Sequence, residues 1–183
     1  LAVFGNFVNR SLVLTHKYFE GKVPALTNLN EKDMAAIEEM NQYPDKIAHL
    51  LDTYKFREAL SELMNLARLG NRYLTENEPW KQFKTDPERV KTVLAVSLQI
   101  VAKLAILSEP FLPFSAKKLQ TMIGLEVSGW DQAKETILLN EESQIGEVEL
   151  LFTKVEDETV AAQIKKLEDT KKQNELNAWT PNP

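Results

Sequence analysis

The sequence has no cysteine and only two histidines, His16 and His49. A disulfide frame and a thiolate metal site are therefore excluded, and a zinc site would need carboxylates for most of its ligands. Glycine is scarce, six in 183 residues, and none belongs to a phosphate-cradling loop; "FGNF" holds a lone glycine within a helical pattern. No serine sits in a G-x-S-x-G elbow. The acid pairs Glu38–Glu39 and Glu141–Glu142 are sequence neighbours, which on a helix point about 100° apart and read as solvated faces. Autonomous catalysis is not expected. Long apolar runs are lacking as well. The longest, "VLAVSLQIVAKLAIL", is broken by Gln99 and Lys103 and is shorter than the roughly 20 residues a bilayer requires. No signal-peptide pattern opens the chain, so no membrane role is expected.

What is present is a globular composition, 43% hydrophobic and 27% charged, in a chain long enough for one domain with a real core and an appendage. The opening "LAVFGNFV" starts inside a helical pattern without methionine, so a fragment of a larger protein is expected. The net charge of -5 argues against a general nucleic-acid binder, because affinity for phosphates comes from many Lys and Arg contacts. The acidity is uneven: residues 126–183 carry 6 basic and 13 acidic groups, whereas 55–125 are mildly basic. That balance suits contact with a few nucleotides.

The pattern predicts an all-α bundle of about five helices. The first spans 1–19, with Phe4, Phe7, Val8, Leu12 and Leu14 inward. The second runs from an Asn30 cap to about Tyr54, with Met34, Ile37, Ile47 and Leu51 inward and a kink at Pro44. The third, about Phe56 to Leu74, should bury Leu60, Leu63, Met64, Ala67 and Tyr73, with Gly70 at a close helix crossing. "TDPERV" starts the fourth through Asp86 as cap and Pro87 in the first turn. That helix is apolar nearly all round and should be central. The fifth, about Ser115 to Ile123, ends on Gly124. These make a bundle over 1–125. "ETILLN" and "VELLFTKVE" read as short extended pieces of a return segment over 126–157. Residues 158–183 read as a charged helical tail with a thin stripe of Val160, Ile164 and Leu167 and a loose end at "NAWTPNP".

Two constellations stand out. In "GNFVNR", Asn6 and Arg10 are one turn apart on one helix face. An amide and a planar guanidinium suit the edge of an unpaired base or a carboxylate; alone, the pair reads first as an ordinary polar flank of an amphipathic helix. In "NRYLTENEPW", Asn71 and Arg72 are read as ending a helix, and Pro79 restrains the backbone before Trp80. The indole is either a stacking platform for a splayed base or a plug at one end of the bundle. Trp130 and Trp179 have no polar partners nearby in sequence and read as structural.

In order and spacing, "GNFVNR", "FREALSELMNLARLGNRYLTENEPWK" and "PFLPFSAKKL" resemble the helical anticodon-binding domain of methionyl-tRNA synthetases. The resemblance covers about 1–125. It implies the class Ia anticodon-binding bundle and recognition of the CAU anticodon of tRNA(Met) by Asn6, Arg10 and Trp80. Arg72 and Lys81 become weaker RNA-backbone candidates. It further implies a cytoplasmic parent enzyme whose catalytic domain, with its His-Ile-Gly-His and Lys-Met-Ser-Lys-Ser type motifs, holds ATP and methionine. Neither motif occurs here, so no cofactor is expected in this chain, and its own catalytic domain is an expected partner. Many members append an OB-type tRNA-binding domain that dimerises, and 158–183 resembles the linker to one. Two other readings remain: the anticodon domain of a sister synthetase, or a helical protein-interaction module without RNA.

Overall fold

The structure, a computed structural model, describes residues 2–153 and 155–178; Trp179 and the end of the tail lie outside them. Its elements are α1 (Ala2–Phe19), α2 (Glu31–Asp52), α3 (Phe56–Asn77), a single turn α4 (Pro79–Gln82), α5 (Pro87–Leu107), α6 (Pro113–Ile123), a 3-10 turn (Trp130–Lys134) and α7 (Asp157–Ala178). Among the described residues there is no strand, only one antiparallel bridge between Lys22 and Gln144. The all-α expectation holds. The chain divides into one unit over Leu1–Phe152 and a second over Thr153–Pro183.

Local chemistry sets the boundaries. Asn30 caps α2 by accepting the backbone N–H groups of Lys32 and Asp33, while the Asp33 carboxylate accepts the N–H of Asn30. These are free donors of a helix start, satisfied reciprocally. Asp86 caps α5 by accepting from the Arg89 N–H, and Gly124 ends α6 in the left-handed region at φ 64°, where glycine has no Cβ to clash. Pro44 lies inside α2, which continues on both sides of it as one element.

A close helix contact joins α1 to α3. A Cβ at Gly70 would lie 2.3 Å from Cζ of Phe7, so only glycine lets the buried Phe7 ring seat against the α3 backbone. α5 fills the centre: seventeen of its residues, from Val90 to Leu107, are buried. It is long and apolar enough to span a membrane by composition, but 94% of that window is buried within the protein. It is the core helix.

Two expected core positions are not core. Met34 is 52% and Leu60 41% exposed. Helical spacing identifies apolar positions but not whether a neighbour arrives to cover them.

Gln99 and Lys103, which interrupt the apolar run, have a structural use. They are one turn apart on α5 and face the segment that returns across the bundle. The Gln99 side chain accepts from the N–H groups of Leu138 and Leu139 and donates to the Leu139 carbonyl. The Lys103 ammonium donates to the carbonyls of Ala133 and Glu135 at 2.6 and 2.7 Å. Five backbone groups of an irregular segment thus find partners on a largely apolar helix, as buried polar groups require. Further along, Phe152 packs against Phe4, with ring centroids 5.8 Å apart, and sits over Gly5.

Burial pulls Lys103 down from 10.5 to about 8, only partly offset by the charge of Glu135. An unfolded lysine titrates near 10.4, so between those values the unfolded chain binds more protons and stability must rise with pH. The wild-type domain is expected to gain stability over Lys103→Met as pH goes from 8 to 10.5. Urea midpoints of the two proteins across that range test this. Parallel curves would contradict it.

Candidate nucleic-acid interface

The opening helix and the turn after α3 meet at one place. α3 does not end at Asn71 and Arg72, as its sequence suggests, but continues to Asn77. Glu78 then takes a left-handed conformation at φ 37°, and Pro79 occupies the first position of the one-turn α4. Proline suits that position because its fixed φ is helical and no N–H is needed there. Pro79 is buried, and it delivers Trp80 with 37% of its surface accessible.

Across from it on α1, the Arg10 guanidinium lies 4.8 Å from the centroid of the Trp80 ring, a cation–π contact. Arg10 has no carboxylate partner among the described residues. Asn6 is exposed on the same α1 face, about 6 Å earlier along the axis. The structure therefore brings Arg10 and Trp80 into contact, with Asn6 one turn before Arg10 on α1. Asn71, on α3, instead donates to the Val3 carbonyl and ties α3 to α1.

Arg72 and Lys81 are placed differently. Arg72 pairs with Glu39 of α2 at 2.8 Å, and Lys81 with Glu78 at 2.7 Å. Each already has a carboxylate to neutralise it, which lowers what it offers a phosphate. Trp130 does find a polar partner, donating its indole N–H to the Pro44 carbonyl at 3.3 Å. That pins the 3-10 turn to α2 and keeps Trp130 structural.

Sequence reading missed the scaffold behind the site. Asp33, fully buried, accepts hydrogen bonds from both terminal nitrogens of Arg89 and from the Tyr73 hydroxyl. Arg89 also donates to the side chain of Asn77 at 2.6 Å. The network joins α2, α3 and α5 just where α3 hands over to Pro79 and Trp80. Burial by itself would raise the Asp33 carboxyl, but hydrogen bonds from Arg89, Tyr73 and the Asn30 backbone, with the charge of Arg89, hold it below the usual range. Tyr73 is pushed far up by burial first and by Asp33 second, so it remains a donor. A second aromatic pair was also unread: Phe83, three residues after Trp80, stacks on Tyr18 of α1 with centroids 4.1 Å apart. Among the described residues no cluster of metal-ligating side chains occurs.

A small helical bundle that presents a polar helix face beside a proline-anchored, half-open indole belongs to the class of α-helical domains suited to single-stranded RNA. The comparisons with known proteins narrow this. Residues 23–172 match the family model described as the anticodon binding domain of methionyl tRNA ligase, and the chain belongs to that family. It is 53% identical over 183 residues to the methionine–tRNA ligase of Phocaeicola vulgatus and 54% identical over 184 residues to that of Porphyromonas gingivalis. Each match covers all of this chain but only 27% of the relative. The fold also matches the free-state Mycobacterium tuberculosis methionyl-tRNA synthetase, with a TM-score of 0.79 over 85% of this chain and 32% of that one, at 24% identity. The sister-synthetase reading gives way to this family.

Proposed function

We propose that this chain reads the CAU anticodon of tRNA(Met) for a full-length, cytoplasmic methionine–tRNA ligase, whose ATP and methionine are bound outside these 183 residues. The observation that carries the reading is the Arg10 guanidinium held over the accessible indole of Trp80, with Asn6 one turn away. Each part has a distinct task. The indole offers a flat surface on which an extruded base stacks whatever its identity. The amide of Asn6 and the guanidinium of Arg10 offer hydrogen bonds in fixed directions, which discriminate base edges. Arg10 is drawn to Trp80 and not to a carboxylate, so its donors stay free for RNA. The net charge of -5 means that affinity rests on these few contacts and not on a basic surface. An interaction module without RNA would leave this arrangement, and the family membership, unexplained.

Trp80 is already partly open to solvent, so its removal should not unfold the domain. Trp80→Ala in the full-length ligase is expected to weaken tRNA(Met) binding by about 1–3 kcal/mol, one base stack. Methionine-dependent ATP–pyrophosphate exchange should be unchanged. Equal tRNA affinity for the variant and the parent would overturn the role given to the indole.

A further inference from the structure

The turn between α2 and α3 holds an apolar tip that nothing among the described residues covers. Tyr54 is 82%, Phe56 58% and Leu60 41% exposed. They form one surface: the Tyr54 and Phe56 rings meet edge to face at 6.2 Å, and Leu60 follows Phe56 by one helical turn on α3. The tip is built, not frayed. The N–H of Tyr54 donates to the Leu51 carbonyl at 3.0 Å and that of Lys55 to the Leu50 carbonyl at 2.8 Å. Tyr54 itself is held at φ 59°, a conformation that a bulky side chain rarely adopts. The two hydrogen bonds close α2 in the left-handed turn common at helix ends. That ordered turn holds both aromatic rings in solvent, an exposed apolar cluster of the kind that marks a recognition surface.

We propose that Tyr54, Phe56 and Leu60 are the surface on which the remainder of the full-length ligase packs. This rests on the chain being one part of a longer protein, not on which residues touch RNA. Three observations favour that occupant. The chain spans 27% of the length of its relatives, so most of such a polypeptide lies outside it. The tip stands at the start of α3 and Trp80 just past its end, and 22 helical residues separate them by about 30 Å, so a docked body leaves the indole free. The flanking charges Asp52, Lys55, Arg57 and Glu58 cancel, which suits a polar rim around an apolar centre and gives a polyanion no advantage. Three side chains are less than the roughly 800 Å² per partner that a free complex needs. A covalently attached partner works at an effective concentration near millimolar, so a small patch suffices.

Hydroxyl-radical footprinting of the full-length ligase without RNA tests this, with each residue's oxidation compared with that in the unfolded protein. Tyr54, Phe56 and Leu60 are expected to be protected several-fold, equally at low and high protein concentration. Oxidation at the unfolded rate would overturn the proposal. Protection only with tRNA would assign the tip to RNA, and protection only at high concentration would assign it to a second copy; both overturn it. Phe56→Asp, at an exposed position, should keep the circular dichroism of the parent while oxidation of Tyr54 and Leu60 rises. Unchanged protection of both in that variant would also overturn it. Because no RNA is present in the decisive arm, failure here leaves the anticodon reading standing, and the reverse holds.

Discussion

Replacing Asp33 by alanine is expected to lower the unfolding free energy of this domain by about 3–5 kcal/mol, the effect of breaking a buried ion pair from one side. The Arg89 side chain is only 16% exposed, so without Asp33 its charge is left in a poorly solvated place. The Tyr73 hydroxyl loses its acceptor as well. The pH dependence has a definite sign. The folded Asp33 carboxyl is held below its unfolded value, so its contribution is full above the unfolded value of about 3.9. It fades as pH falls through the lower, folded one. Wild type and Asp33→Ala should therefore differ by a constant amount at neutral and mildly acidic pH and converge in strong acid. Urea denaturation at pH 7 and at pH 3 checks both statements. A loss below about 1 kcal/mol at pH 7, the size of an exposed pair, would mean that the network is ornamental.

The second large effect is expected at Gly70. A side chain there meets the Phe7 ring at 2.3 Å, and Phe7 is fully buried. Gly70→Leu should cost about 3 kcal/mol, the upper end for overpacking, despite the gain of roughly 1 kcal/mol from replacing a helical glycine. The strain should be specific to its partner. On a Phe7→Ala background the added leucine should cost much less, or stabilise, because it fills the space the ring leaves. Additive costs in this double-mutant cycle would show that the two helices do not meet as described.

Both effects concern the platform that carries the site, and they show what was legible in the sequence. Caps are local, so Asn30, Asp86 and Gly124 were readable from neighbouring residues alone. Gly70 was readable because a glycine within an amphipathic helix has few other reasons to be there. Asn6 and Arg10 shared a face by spacing, and Pro79 beside Trp80 was a local signal. The Asp33–Arg89–Asn77 network was not legible, because its members are distant in sequence and each looks like an ordinary helix-terminal polar residue. The boundary of α3 was misplaced for a related reason: Asn77, in its last turn, accepts from Arg89, a contact made by the next long helix and invisible to local pattern. Gln99 and Lys103 read only as interruptions, since nothing local reveals that an irregular segment needs their hydrogen bonds. Leu60 and Met34 read as core because periodicity marks which side chains avoid water, not what covers them. Arg72 and Lys81 read as available cations, and only the fold shows Glu39 and Glu78 beside them.

The central claim is that Arg10, poised over Trp80, tells one anticodon base from another. The most direct measurement is kcat/KM for aminoacylation by the full-length ligase, wild type and Arg10→Ala, on tRNA with CAU and on tRNAs altered at single anticodon positions. The preference of the variant for CAU should shrink by about 1–3 kcal/mol at one position, the worth of a bidentate base contact, with methionine activation untouched. A variant that loses activity equally on every anticodon, or keeps the full preference of the wild type, would contradict the account.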